Sequence, residues 1–291
     1  MKKVDLVIID PQNSFCKIVD SGLQQVSHDG ELCVTGAWDD MLRVATLVKR
    51  LGKKLNDIHV TLDSHHALHV AHPTWFRDSS GNQPDPFTIM REQNGVIIGS
   101  KFDASGNQHD VGEYTCFKPS ATKRTLDYLS KLQASGRYPH CIWPLHCLIG
   151  TPGHNVVAPL MEELLGWCRL QGDAIIDFVT KGSNPYVEHF SAVRAEVVDP
   201  TDKTTDLNKK LITTINEADE VLLCGEAGSH CLANTVKDMA DSFASDEFIK
   251  KCVLLLDGTS PVPGFAPYQD RFITEMTARG MKTTTTVDYL K

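Results

Sequence analysis

The sequence has no apolar run approaching the ~20 residues that cross a bilayer. Asp5 and Asp10 interrupt the one apolar stretch behind Lys2 and Lys3, which leaves no room for the core of a signal peptide. Basic residues are in deficit: 29 Lys and Arg against 37 Asp and Glu give a net charge of −8. That balance argues against nucleic acid as the main partner, because phosphate binding needs a clustered basic surface. Nine cysteines show neither a CxxC pair nor even spacing. In a chain of 291 residues they read as reduced thiols rather than a disulfide framework. Internal repeats, low-complexity tracts and linker-like stretches are lacking too. A single domain over residues 1–291, cytoplasmic and away from membranes, is therefore expected. With 41% hydrophobic and 23% charged residues, the chain is ordinary for a globular protein and long enough to bury a real core.

What is present is an alternation of short apolar runs and amphipathic segments. Val4–Ile9 reads as a buried strand ending at Asp10. Residues 35–51 read as a helix with Val44, Leu47, Val48 and Leu51 on one face. Residues 55–62 read as a second strand, ending at Asp63. Further strands are expected at 174–179, 221–224 and 252–256, and an edge strand at 282–287. Helices are expected over 122–132, 157–170, 267–279 and around Leu207, Leu211, Ile212 and Ile215. Residues 140–153 are apolar but broken by Pro144, so they read as a loop carrying His146. Residues 77–119 are rich in Gly, Asn, Asp and Ser, with strand-like pieces at 96–98 and 114–117. They read as an inserted hairpin or lid. The repeated βαβ pattern predicts an α/β fold of three layers (αβα), Rossmann-like, around a mostly parallel central sheet.

The chemistry centres on residues 221–240, where four apolar residues and the turn 225–229 lead into helical spacing at Leu232, Val236, Met239, Ala240 and Phe243. Cys231 sits where strand hands over to helix. Unpaired N–H groups and the positive end of the helix dipole there favour a thiolate. Cys224 and Cys252, inside strand-like runs, read as inert core thiols. In open parallel sheets ligands collect beyond the carboxyl ends of the strands, where Asp10, Asp63 and Lys181 also fall. An acid, an amine and a thiol at three strand ends supply a nucleophile, a proton acceptor and a balancing charge. Asp63 and His65 form a D-x-H pair, and His69, His72 and His146 add imidazoles. A carboxylate with two histidines is a ligand set for Zn²⁺, Fe²⁺ or Mn²⁺. A structural zinc would be closed by four protein ligands, usually including cysteines, so this spread fits an open site better.

Five stretches occur in an order known from one family: IIDPQNSF (8–15), TLDSHHALH (61–69), WPLHC (143–147), KG at 181–182 with FSA at 190–192, and GEAGSHC (225–231). The chain resembles the nicotinamidases, which belong to the isochorismatase-like cysteine hydrolases. The motifs run from residue 4 to about 258, most of the chain; each is weak alone, and five in order are specific. The resemblance implies an amidase that converts nicotinamide to nicotinate and ammonia through a cysteine thioester, a reaction of pyridine nucleotide (NAD) salvage. It implies Cys231 as nucleophile, Asp10 as proton acceptor and donor, and Lys181 as the steadying charge. The Glu226–Ala227 bond would be cis, and the N–H groups of Ala227 and Cys231 would form the oxyanion hole. Asp63, His65 and His146 would hold a divalent metal, zinc first, with His69 or His72 as a further group and His69 the better candidate. Phe15 and Trp143 would sandwich an aromatic ring, with Phe190 and His230 completing the substrate pocket.

The chain departs from compact relatives by extra length at 21–35 and 77–119, and Phe190 stands where many relatives carry a tyrosine. Homo-oligomeric contacts, which the resemblance allows, are not inherited across such insertions. Two other readings exist: a family member that cleaves a different small amide without a metal, and a non-catalytic protein that binds a pyridine metabolite. The D-x-H pair with His146 argues against the first. The intact Asp10, Lys181 and Cys231 argue against the second.

Overall fold

The computed structural model describes residues 2–20, 25–103, 105–172 and 174–291; part of the expected extra segment at 21–35 therefore lies outside the described residues. Six strands form one sheet: β1 (Val4–Ile9), β2 (Asp57–Asp63), β3 (Asp177–Lys181), β4 (Glu220–Gly225), β5 (Cys252–Leu255) and β6 (Lys282–Thr284). All pair in parallel, in the order β3-β2-β1-β4-β5-β6. Among the described residues six α-helices lie between them: α1 (Ala37–Leu51), α2 (Thr122–Ser135), α3 (Ala158–Leu170), α4 (Lys209–Asn216), α5 (Cys231–Asp241) and α6 (Ala266–Ala278). Among the described residues no helix is long and apolar enough to cross a membrane.

The run VDLVII makes β1 a central strand because a parallel strand covered on both faces must be apolar throughout, and all six of its residues are buried. Period-two alternation divides them. Leu6 and Ile8 face α1 and α3 in one core, with Ile58, Val60, Leu222 and Cys224. Val7 and Ile9 face α4, α5 and α6 in another, with Val221, Leu223 and Leu254. Helices on both faces of a parallel sheet give the three-layer α/β fold the sequence predicts. A third core joins α2 to an antiparallel sheet of five short strands drawn from residues 76–141.

Three boundaries shift for physical reasons. The strand expected at 174–179 runs instead over Asp177–Lys181, because the N–H of Ala174 bonds to Cys168 O at 3.2 Å and finishes α3. The expected edge strand stops at Thr284. The strand-like pieces at 96–98 and 114–117 extend to Val96–Phe102 and Gln108–Cys116; most of the second is exposed, so no apolar alternation marks it.

Candidate active site

Strand order reverses between β2-β1 and β1-β4, and a crevice opens at such a switch point beyond the carboxyl ends. Ile9 pairs with Gly225, so the residues that follow, Asp10 and the turn to Cys231, emerge side by side. Gly225 has φ +111°, and a Cβ there would lie 2.1 Å from Ile9 O, which only glycine avoids. The next peptide bond, Glu226–Ala227, is cis. Cys231 is the first residue of α5. On the other side of β1, Lys181 pairs in register with Asp63.

The Lys181 ammonium joins these groups. Its Nζ lies 2.9 Å from Asp10 Oδ2, 3.1 Å from Asp63 Oδ1 and 3.5 Å from Cys231 Sγ. It also donates to His189 O at 3.1 Å. Asp10, in the left-handed region at φ 43°, is fixed by Thr61: its N–H donates to Thr61 Oγ1 (3.0 Å), and that hydroxyl donates to Asp10 Oδ1 (2.6 Å). Gln12 clamps the backbone of Asp63 from both sides, at 2.8 and 2.7 Å.

All four charged or ionisable groups are buried, and burial sets their protonation. Burial pushes the Cys231 thiol well up; Lys181 opposes this while Asp10 and Asp63 add to it. The helix start therefore does not by itself yield a thiolate, and Cys231 rests as a thiol beside its proton acceptor. Burial also raises Asp10 above the ordinary carboxylate range, against the pull of Lys181, which makes it a stronger base. Burial disfavours the Lys181 ammonium, but Asp10 and Asp63 outweigh it and hold the lysine charged. Burial would raise Asp63 too, yet His65 and Lys181 keep it well below the usual range.

Beyond Asp63 lies a cluster of imidazoles. One ring nitrogen from each of His65, His72 and His146 falls within 4.8 Å of the others. Asp63 Oδ2 is 3.1 Å from His65 Nε2 and 3.5 Å from His146 Nε2. His146 Nδ1 contacts Pro144 O at 2.8 Å and His65 Nδ1 contacts Gly182 O at 3.2 Å, the arrangement by which metal-binding histidines are oriented. Among the described residues the buried ring nitrogens of His72 and His69 Nε2 have no side-chain hydrogen-bond partner, and Asp63 Oδ1 has only its ion pair. Burial drives His72 down to about 2, so its ring is neutral, as a ligand must be. The donor set, its orientation and its unsatisfied nitrogens fit a divalent cation. His69 packs on His65 with ring centroids 4.4 Å apart, and its Nδ1 accepts the N–H of Ala71. The group of rings that could hold an ion is thus His65, His72 and His146, whereas His69, the better candidate on resemblance, packs beside His65 outside that group.

Phe15, Leu32, Asp63, Trp143, His146, Glu188, Phe190, Ala227, His230, Cys231 and Val262 line a cavity of about 20 Å³, room for about one water. Larger, open grooves lie elsewhere, along α1 and the C-terminus and beside α3, and neither contains Cys231. The walls are aromatic. Trp143 meets His230 edge-on at 5.4 Å, Phe190 meets His230 at 5.2 Å, and Phe15 meets His146 at 5.6 Å. Burial keeps His230 neutral, down at about 3. Leu32, Val262, Glu188 and Thr61 were not singled out from the sequence. Thr61 had a signal, since it shares a strand face with Asp63 two residues on. Glu188, in an irregular loop, had none.

No family model matches the sequence, and no curated protein matches it. Solved structures do. The yeast nicotinamidase bound to the inhibitor nicotinaldehyde is 18% identical, with a TM-score of 0.59 over 97% of this chain and 99% of that one. A nicotinamidase/pyrazinamidase from Acinetobacter baumanii is 16% identical, with a TM-score of 0.58 over 100% and 99% of the two chains. The pyrazinamidase of Pyrococcus horikoshii in complex with zinc is 18% identical, with a TM-score of 0.50 over 97% and 99%. At these identities the likeness carries the architecture: over almost its whole length, this chain has the fold of the nicotinamidases and pyrazinamidases.

Proposed function

We propose that the protein is a cysteine-dependent amidohydrolase of the nicotinamidase type, converting nicotinamide to nicotinate and ammonia. One observation carries this reading: a single buried ammonium touches a thiol and two carboxylates at the wall of an aromatic cavity. A binding pocket has no use for that combination, and nucleophilic catalysis needs all of it.

In the proposed reaction Asp10 accepts the proton of Cys231, and the sulfur attacks the carboxamide carbon. The N–H groups of Ala227 and Cys231 hold the developing oxyanion. Asp10 returns the proton to the departing ammonia, leaving a thioester. A water that gives its proton to Asp10 then attacks the thioester, nicotinate leaves, and the proton restores the thiol. Lys181 holds Asp10 in place and keeps two neighbouring carboxylates from repelling each other. The flat ring would lie among Phe15, Trp143, Phe190 and His230, which have to part to admit it because the cavity has room for about one water; Phe190 brings no hydroxyl there.

Asp63, His65, His72 and His146 would hold a divalent ion, zinc by preference with iron or manganese as the other metals suited to such donors. When bound, the ion supplies a Lewis acid that takes a pyridine or pyrazine nitrogen. Nine free thiols, the proposed nucleophile among them, suit a reducing cytoplasm.

A panel of nicotinamide, pyrazinamide and benzamide, assayed for ammonia with and without chelator, tests the reading. Turnover of the first two should exceed that of benzamide and should fall on chelation. Equal turnover of benzamide, which lacks the ring nitrogen, would remove the metal from substrate recognition.

A further inference from the structure

Behind the Cys231 turn lies a second acid that the chemistry above leaves unused. Glu226 is wholly buried. Its Oε2 accepts the N–H of Ser260 at 3.1 Å, while its Oε1 finds no donor among the described residues. Asp40 of α1 holds the same Ser260 through its hydroxyl, so the two buried carboxyls meet at one residue and interact. Two carboxyls buried side by side resist sharing two negative charges, so one of them keeps its proton. Asp40 already accepts the guanidinium of Arg43 on Oδ1 and the Ser260 hydroxyl on Oδ2, the latter at 2.6 Å. Arg43 donates to Asp40, and burial pushes the Glu226 carboxyl well up, which assigns the proton to Glu226.

We propose that Glu226, as a neutral carboxylic acid donating to Asp40, is the positioning residue for the Ala227–Cys231 turn. Its own N–H donates to Ile9 O at 2.7 Å, which ties the turn to the strand that delivers Asp10. Ser260 is bound from both ends: its N–H by Glu226 Oε2, and its carbonyl by the N–H of Gly228 at 2.9 Å. Two residues on, the N–H of Val262 donates to Ser229 Oγ at 3.1 Å, and Val262 lines the cavity. One acid thus fastens the expected oxyanion donor Ala227, the cavity wall and α1 to each other. Gly36 makes room for this. It has φ +99°, and a Cβ there would stand 2.7 Å from Ser260 Oγ.

The groups facing Glu226 agree. Burial, then Asp40, push its carboxyl well up, with Arg43 opposing. The Cys16 and Cys224 thiols alongside are likewise held protonated by burial, so neither adds a charge.

The proposal rests on the amidase reading for one of its two readouts. Ammonia release and thermal melting are compared for wild type, Glu226→Gln and Glu226→Met. The amide N–H of Gln replaces the acid's donor, and Met keeps the bulk without one. Glu226→Met should lower kcat about tenfold or more with a smaller change in KM, since a displaced oxyanion donor acts on the transition state. Glu226→Gln should recover kcat at least about tenfold above Met. Wild-type kcat in folded Glu226→Met, or equal losses in both variants, would overturn the proposal.

Melting from pH 6 to 9 is the second readout. A buried acid raised in the folded state contributes stability at low pH that is lost as pH rises through its folded pKa. Wild type should therefore lose more melting temperature with rising pH than Glu226→Gln, and superimposable curves would overturn the proposal even if Met does not fold. A wild type that releases no ammonia from any carboxamide sinks the amidase reading instead and leaves the melting comparison standing.

Discussion

Replacing Lys181 with Met tests how the site is held together. The lysine is 2% exposed and contacts Asp10 and Asp63 within 3.1 Å, so Met leaves two buried carboxylates with no cation between them. Breaking one buried pair costs about 3–5 kcal/mol, because the surviving charge is stranded out of water. At about 2–4 °C per kcal/mol for a chain of this size, the melting temperature should fall by about 6–20 °C. Activity should fall further, since Asp10 rises as a base without an orienting charge, and misplaced proton transfer loses about 10²–10⁴-fold. The double variant Asp10→Asn, Lys181→Met removes one stranded charge. It should melt above Lys181→Met while staying inactive, a coupling that a double-mutant cycle by calorimetry reads directly. A Lys181→Met protein that melts with wild type, or a double variant no more stable than it, refutes the reasoning.

Metal content by elemental analysis should collapse in His65→Ala and His146→Ala and stay full in His66→Ala, whose side chain is exposed. His72→Ala should lose more metal than His69→Ala, because only His72 joins the ligand cluster. Asp10 is raised by burial and must be ionised to accept a proton, so kcat/KM should fall as pH drops through a midpoint above the ordinary value of about 4. A midpoint at or below that value contradicts the placement of Asp10. Elsewhere, burial disfavours the His59 imidazolium, but Asp5 and Asp177 outweigh it and raise its pKa. Its stabilisation is complete below about pH 6.5 and lost as pH rises through the higher folded value. His59→Gln should flatten the fall in melting temperature across that window.

The handover at Cys231 is legible in the sequence because periodicity changes there from an unbroken apolar run to helical spacing, with glycines between. Asp10 is legible because it ends a run too apolar to be anything but a central strand. Lys181 falls at a strand end even though the strand itself starts later than its apolar residues suggest. Ala174, past the end of α3, is tied back to Cys168 by a hydrogen bond, which overrides composition there. Which histidines face one another is not legible, since residues 64–72 are irregular and spacing along a loop fixes no direction. Glu226 reads as one more polar turn residue. Its meaning depends on Asp40, far away in the chain, and on total burial, neither of which leaves a local pattern.

Ammonia release from nicotinamide, measured side by side for wild type and Cys231→Ala, tests the central claim most directly. Steady release by wild type and none above background by Cys231→Ala, with both proteins folded and both binding nicotinamide, is the predicted result. Turnover by Cys231→Ala at the wild-type rate would contradict a covalent route through that sulfur.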